Sequence, residues 1–97
     1  MPSFLVAQFS VKTADSLASY SQKAAGVMAR YGGRLMFKGS AQSRLFGDAG
    51  LPNIAVFEFP TQSHLEDFYT CQDYQDLEAI RTECADMVLS ACPAPDA

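Results

Sequence analysis

His64, Tyr69, Cys71, Tyr74 and Arg81 bring an imidazole, two phenols, a thiol and a guanidinium into one short stretch, and Tyr20 and Arg34 add a phenol and a guanidinium from earlier in the chain. Guanidinium and phenol donors can hold a carboxylate or a developing oxyanion. Arg81 falls beside Leu77 and Cys84 on a helical face, so it either clamps an acidic ligand or pairs with a protein carboxylate such as Glu58 or Asp73. Tyr69 and Tyr74 flank an interruption in the helical pattern. Their hydroxyls either line a cavity between helices and sheet or cap the core with one wet end, and Tyr20 is open to the same two readings. Arg34 is a second candidate for polarising a ligand. His64 is a general base by type, but in the first turn of a helix it is also an ordinary solvated histidine. Cys71 opens a helix, where the dipole favours a thiolate; with no cation adjoining it in sequence, an inert thiol is the plainer reading.

Several chemistries lack their parts. No serine or cysteine has a histidine at a recognisable nucleophile–base spacing, and one histidine among scattered acids makes no metal set. The cysteines number 3 and form no Cys-x-x-Cys pair, so neither a disulfide framework nor a zinc site is expected, and no cofactor is implied. Cys84 and Cys92 stand where apolar residues would serve and read as small buried hydrophobes. Gly32-Gly33 is a helix stop rather than a phosphate loop, since no Walker lysine follows. A net charge of −4 with no basic run argues against nucleic acid and against an anionic membrane surface. No apolar run is long enough to span a bilayer and the N-terminus lacks the order of a secretory signal, so the protein is expected to be cytoplasmic.

The elements that must position these residues follow from periodicity. A chain of 97 residues, 48% hydrophobic, supports one core, and residues 1–97 are expected to form one domain with a flexible tail over 93–97. Phe4 to Val11 alternates as a strand, with Leu5, Ala7, Phe9 and Val11 on one face and Phe4 and Val6 on the other. Leu17, Tyr20, Ala24, Val27 or Met28, and Tyr31 recur at helical spacing. Gly26 inside that helix marks either a close backbone approach or a tolerated weakness. Arg34 to Lys38 reads as a strand with Leu35 and Phe37 on one side and Arg34, Met36 and Lys38 on the other. Ser40 to Asn53 has turn composition, with Arg44-Leu45-Phe46 as a candidate extension of the flanking ladder. Asn53 to Phe59 is a third strand, with Ile54 and Val56 against Ala55, Phe57 and Phe59.

After Pro60 the period becomes helical again, with Thr61 or Ser63 as cap and a break at Thr70 to Asp73, giving two helices or one sharply broken. Met87 to Cys92 is a last strand. The order strand, helix, strand, strand, helix, strand is that of an α+β, ferredoxin-like βαββαβ fold, a four-stranded antiparallel sheet with its helices on one face. Its first and third strands are apolar on both faces, so the uncovered face needs a partner, and a second copy of the chain is the expected one.

Tyr31-Gly32-Gly33-Arg34 with Gly39, then Glu58-Phe59-Pro60, then Phe68-Tyr69 with Tyr74-Gln75 and Arg81, form an ordered set that resembles the family known as domain of unknown function 1330 (DUF1330). The resemblance runs from Phe4 to about Cys92 and implies a dimeric α/β barrel, two ferredoxin-like protomers meeting sheet to sheet. It also implies kinship with a superfamily holding cofactor-independent monooxygenases, isomerases and dehydratases that act on small, often aromatic molecules. This chain departs from the family in having Phe46-Gly47-Asp48 where an acidic residue commonly precedes the glycine, and Phe68-Tyr69 and Cys71-Gln72 where Trp-Tyr and Ser-Pro are common. The expectation is a homodimer that binds a small molecule near Arg81, Tyr74, Tyr69, Arg34, Tyr20 and His64. Its catalytic form would be a monooxygenase- or isomerase-like enzyme without cofactor on a carbonyl or aromatic substrate, the alternative being a non-catalytic binding or structural dimer.

Overall fold

The computed structural model describes residues 1–47 and 50–95. Strand β1 (Ser3–Val11) leads into helix α1 (Ala14–Arg30), then β2 (Arg34–Ser40) and β3 (Asn53–Phe59). Three short helices follow, α2 (Gln62–Thr70), α3 (Gln72–Gln75) and α4 (Glu78–Cys84), and the described chain closes on β4 (Ala85–Pro93). The strands form one antiparallel sheet in the order β2-β3-β1-β4, the ferredoxin-like arrangement with all helices on one face. Strand β4 starts two residues before the expected Met87, because Ala85 continues the ladder opposite Val11, and it ends with Pro93 opposite Ser3.

Alternation in β1 sorts the two faces. Ser3, Leu5, Ala7 and Phe9 are buried beneath the helices, with Ala55 and Phe59 of β3 beside them. Helix α1 returns Tyr20, Ala24 and Met28 to that core, and α2, α3 and α4 add Leu65, Phe68, Tyr74 and Cys84. The α1 helix ends because Gly32 adopts φ +80°, which costs other residues strain. Gly33 is required for another reason: a Cβ there would stand 2.6 Å from the Phe59 ring and 2.8 Å from Met28. Gly26 faces open space, which decides for the tolerated weakness over a close approach.

Thr61, not Ser63, caps α2, its hydroxyl accepting from the His64 N–H at 3.1 Å. The expected break falls at Cys71, whose ψ of 149° is extended. A second interruption precedes α4, making three helical pieces rather than two. Arg44-Leu45-Phe46 does not extend the ladder; the segment between β2 and β3 leaves Leu45 and Phe46 almost wholly exposed. Asp48 of the Phe46-Gly47-Asp48 turn lies outside the described residues, as do Asp96 and Ala97 of the tail. Among the described residues no helix is long and apolar enough to cross a membrane.

Strand β2 corrects the expected alternation. Its ladder with β3 pairs Leu35 with Phe57 but Phe37 with Val56 and Lys38 with Ala55, so Met36 is a surplus residue, a β-bulge. Paired residues share a face, so Phe37 joins Arg34 on the uncovered side and Lys38 joins Leu35 beneath the helices. The uncovered face then reads in cross-strand rows: Arg34, Glu58, Phe4 and Cys92; Phe37, Val56, Val6 and Ser90; Gly39, Ile54, Gln8 and Val88. Phe37 is 57% exposed and Val88 49%. Of the two cysteines expected inside, Cys84 is buried and Cys92 lies exposed on this face.

Candidate functional site

The rows beneath the helices explain a cavity. Lys38, Ala55, Ala7 and Leu89 cross the sheet in one line, and Ala24 and Ala25 of α1 stand among the lining residues above it. Small side chains on both layers leave a space of about 680 Å³, within the ordinary range for a ligand site. Leu5, Phe9, Met28 and Phe57 make most of the remaining wall apolar. Its opening lies between α1, where Ser21 and Ala25 are exposed, and edge strand β2, where Leu35, Lys38 and Ser40 are exposed.

Two phenols reach this space. Tyr20 and Tyr74 both line it, and their hydroxyls lie 2.6 Å apart although 54 residues separate them in sequence. Arg81 stands behind, its Nη1 donating to the Tyr74 oxygen at 3.2 Å with its Cζ 5.5 Å from the ring centroid. Burial first, then the neighbouring Tyr74 hydroxyl, raise the Tyr20 pKa, so Tyr20 stays protonated. Burial is the largest single influence on Arg81 and works against its charge; the hydrogen bond to Tyr74 and the electrostatic effects of Tyr74, Tyr20 and Tyr69 together outweigh it, so the pKa is raised and the cation is kept.

Hydrogen counting shows what this set can do. The two hydroxyls carry two hydrogens; one is consumed between them, and the other meets no protein acceptor among the described residues. A ligand oxygen in the cavity can accept it, and the guanidinium behind Tyr74 favours negative charge developing there.

Of the expected site residues, Arg81, Tyr74 and Tyr20 are brought together, and Tyr69 packs against Tyr74 at 5.7 Å between ring centroids. Arg34 lies on the opposite face of the sheet, paired with Glu58 at 2.6 Å. His64 is exposed, its Nδ1 2.6 Å from the Thr61 hydroxyl. Neither carboxylate expected for Arg81 serves it: Glu58 takes Arg34, and Asp73 takes Arg30 at 2.6 Å. Cys71 is half-buried beside Tyr31, whose pKa is raised first by its hydrogen bond to the Cys71 side chain and then by burial. Missed from the sequence were Lys38, Ser40 and Asn53 at the cavity edge. Alternation pointed Lys38 the wrong way, and only the bulge reveals it. Among the described residues no cluster of three metal-ligating side chains occurs.

The sequence model described as Domain of unknown function (DUF1330) matches residues 2–94. No match is found among curated proteins. A protein of unknown function from Rhodopseudomonas palustris superposes with a TM-score of 0.82 at 16% identity, over 99% of this chain and 84% of that one. A dimeric ferredoxin-like protein of unknown function from Jannaschia sp. CCS1 gives 0.75 at 8% identity, over 97% of this chain and 100% of that one. SnoaB, a cofactor-independent oxygenase from Streptomyces nogalater, gives 0.70 at 11% identity, over 99% of this chain and 95% of that one.

Proposed function

We propose that this chain, which belongs to the DUF1330 family, is a homodimeric protein that binds a small, largely apolar molecule bearing a carbonyl or phenolic oxygen in the cavity between α1 and the sheet. The observation that carries the reading is the pairing of that cavity with the Tyr20–Tyr74 hydroxyls, which retain one uncommitted hydrogen among apolar walls. An apolar wall supplies affinity and a single buried donor supplies orientation. Dimerisation through the uncovered face is supported by the row of Phe37, Val56 and Val6, apolar side chains over which this chain lays no helix, Phe37 exposed and the two valines half-buried. The dimeric ferredoxin-like relative from Jannaschia has the same fold.

A second reading is catalysis without a cofactor, favoured by the fold shared with the oxygenase SnoaB. A substrate able to stabilise its own carbanion needs little beyond orientation and a donor for its oxyanion, which Tyr74 backed by Arg81 supplies.

The test is a thermal-shift screen of small aromatic carbonyl and phenolic compounds. Compounds that raise the melting temperature of the wild type are expected to lose that effect in Ala55→Phe, whose ring blocks the middle of the cavity floor without touching the uncovered face. Hits that shift both proteins equally bind elsewhere and would sink the reading. Conversion of a bound hit, abolished in Tyr74→Phe with binding retained, selects the catalytic form; binding without conversion selects the non-catalytic one.

A further inference from the structure

We infer that the ligand carries an acidic group as well as an apolar body, and that Lys38 at the cavity mouth is the residue that selects it; this rests on the cavity-binding reading above. Among the described residues lining the cavity Lys38 is the only charged one, and none of them is an aspartate or glutamate. Its ammonium has no carboxylate within ion-pair distance among the described residues, whereas Lys12, Arg30 and Arg34 each have one. Ser40 and Asn53 stand one row along at the same edge, hydrogen-bonded to each other at 2.5 Å, and make that end of the cavity polar.

The bulge is an independent argument. Were Met36 paired as a regular rung instead of bulging, alternation would send Lys38 to the uncovered face and Phe37 into the cavity. Bulges recur beside binding sites because they re-aim a side chain, and this one exchanges a phenyl ring for a cation at the mouth of an apolar space.

From Lys38 on one edge strand to Leu89 on the other, the floor crosses three strand spacings, about 14 Å. A planar bicyclic acid fits that line with its carboxylate at Lys38. The chain as a whole carries −4 and repels anions, so any preference for an acid over its neutral analogue must arise locally.

Isothermal titration with 2-naphthoate and 2-naphthamide, which differ in charge and hardly in shape, tests the inference. The wild type is expected to bind the acid about fivefold more tightly than the amide, as a cation at a partly exposed mouth allows, and added salt should shrink the difference. Lys38→Met should abolish the preference by weakening the acid more than the amide, and Lys38→Glu should reverse it. Equal binding of acid and amide by the wild type, or a preference that survives Lys38→Met, would overturn the role of Lys38 and leave the cavity reading standing. Failure of both compounds to bind the wild type would remove the cavity reading itself, and this inference with it.

Discussion

Val56→Asp should convert a dimer into single chains at micromolar concentration. Val56 lies in the row formed with Phe37 and Val6 on the uncovered face, away from the helix-side core. In a two-fold assembly each protomer contributes its own copy of the change, so two carboxylates enter one dry interface. Unpaired buried charge costs several kcal/mol, and at ~1.4 kcal/mol per factor of ten the dissociation constant should weaken by at least about 100-fold. Sedimentation velocity with far-UV circular dichroism reads the outcome: smaller particles, unchanged secondary structure. Gln22→Asp on the exposed side of α1 serves as the control and should sediment like the wild type. A wild type that sediments as one chain, or a Val56→Asp variant that stays paired, would show that something other than this face governs assembly.

The second large effect is expected at Tyr74, which is 1% exposed and packs against Phe68 at 4.4 Å between ring centroids. Tyr74→Phe keeps the ring but strands the buried Tyr20 hydroxyl and removes the oxygen that Arg81 holds, at a cost of about 1–3 kcal/mol. For a domain of this size each kcal/mol lowers the melting temperature by about 4–8 °C. Tyr74→Ala adds a cavity and should cost about 3–5 kcal/mol. Tyr69→Phe, at a ring 39% exposed, should change stability by less than about 0.5 kcal/mol. Alkali gives a further signature. Because the folded-state pKa of Tyr20 is raised, its contribution is complete below the unfolded value near 10 and is lost as pH climbs above it. Urea unfolding at fixed protomer concentration should therefore weaken above about pH 10, and Tyr20→Phe should weaken less steeply. A Tyr74→Phe variant as stable as the wild type would mean that solvent or a rearranged side chain satisfies the Tyr20 hydroxyl, and the hydrogen count would fail.

What could be read from the residues alone follows the range of each interaction. Strands β1 and β3 and the buried stripe of α1 announce themselves because their periods are local, and the break at Cys71 shows as an interruption of period. The uncovered apolar face followed from the same patterns. The bulge did not, because one surplus residue leaves no mark on composition and merely shifts the phase of every side chain after it. Partner choice was illegible for a similar reason. Arg81 had plausible mates in Glu58 and Asp73, and only the assembled chain shows that Arg34 and Arg30 stand closer to them. The contact between Tyr20 and Tyr74 joins α1 to α3 over the sheet, and no spacing rule links residues so far apart.

The extra residue at Met36 therefore works as a phase setting for two separate jobs. Were Met36 drawn into the ladder as an ordinary rung, the destinations of Phe37 and Lys38 would swap, sending a greasy ring into the hollow and an ammonium between subunits. Self-association and ligand choice would then falter together. Conservative exchanges at Met36 itself should be forgiven, since the pairing of Leu35 and Phe37 on either side of it, more than its own identity, keeps both in step.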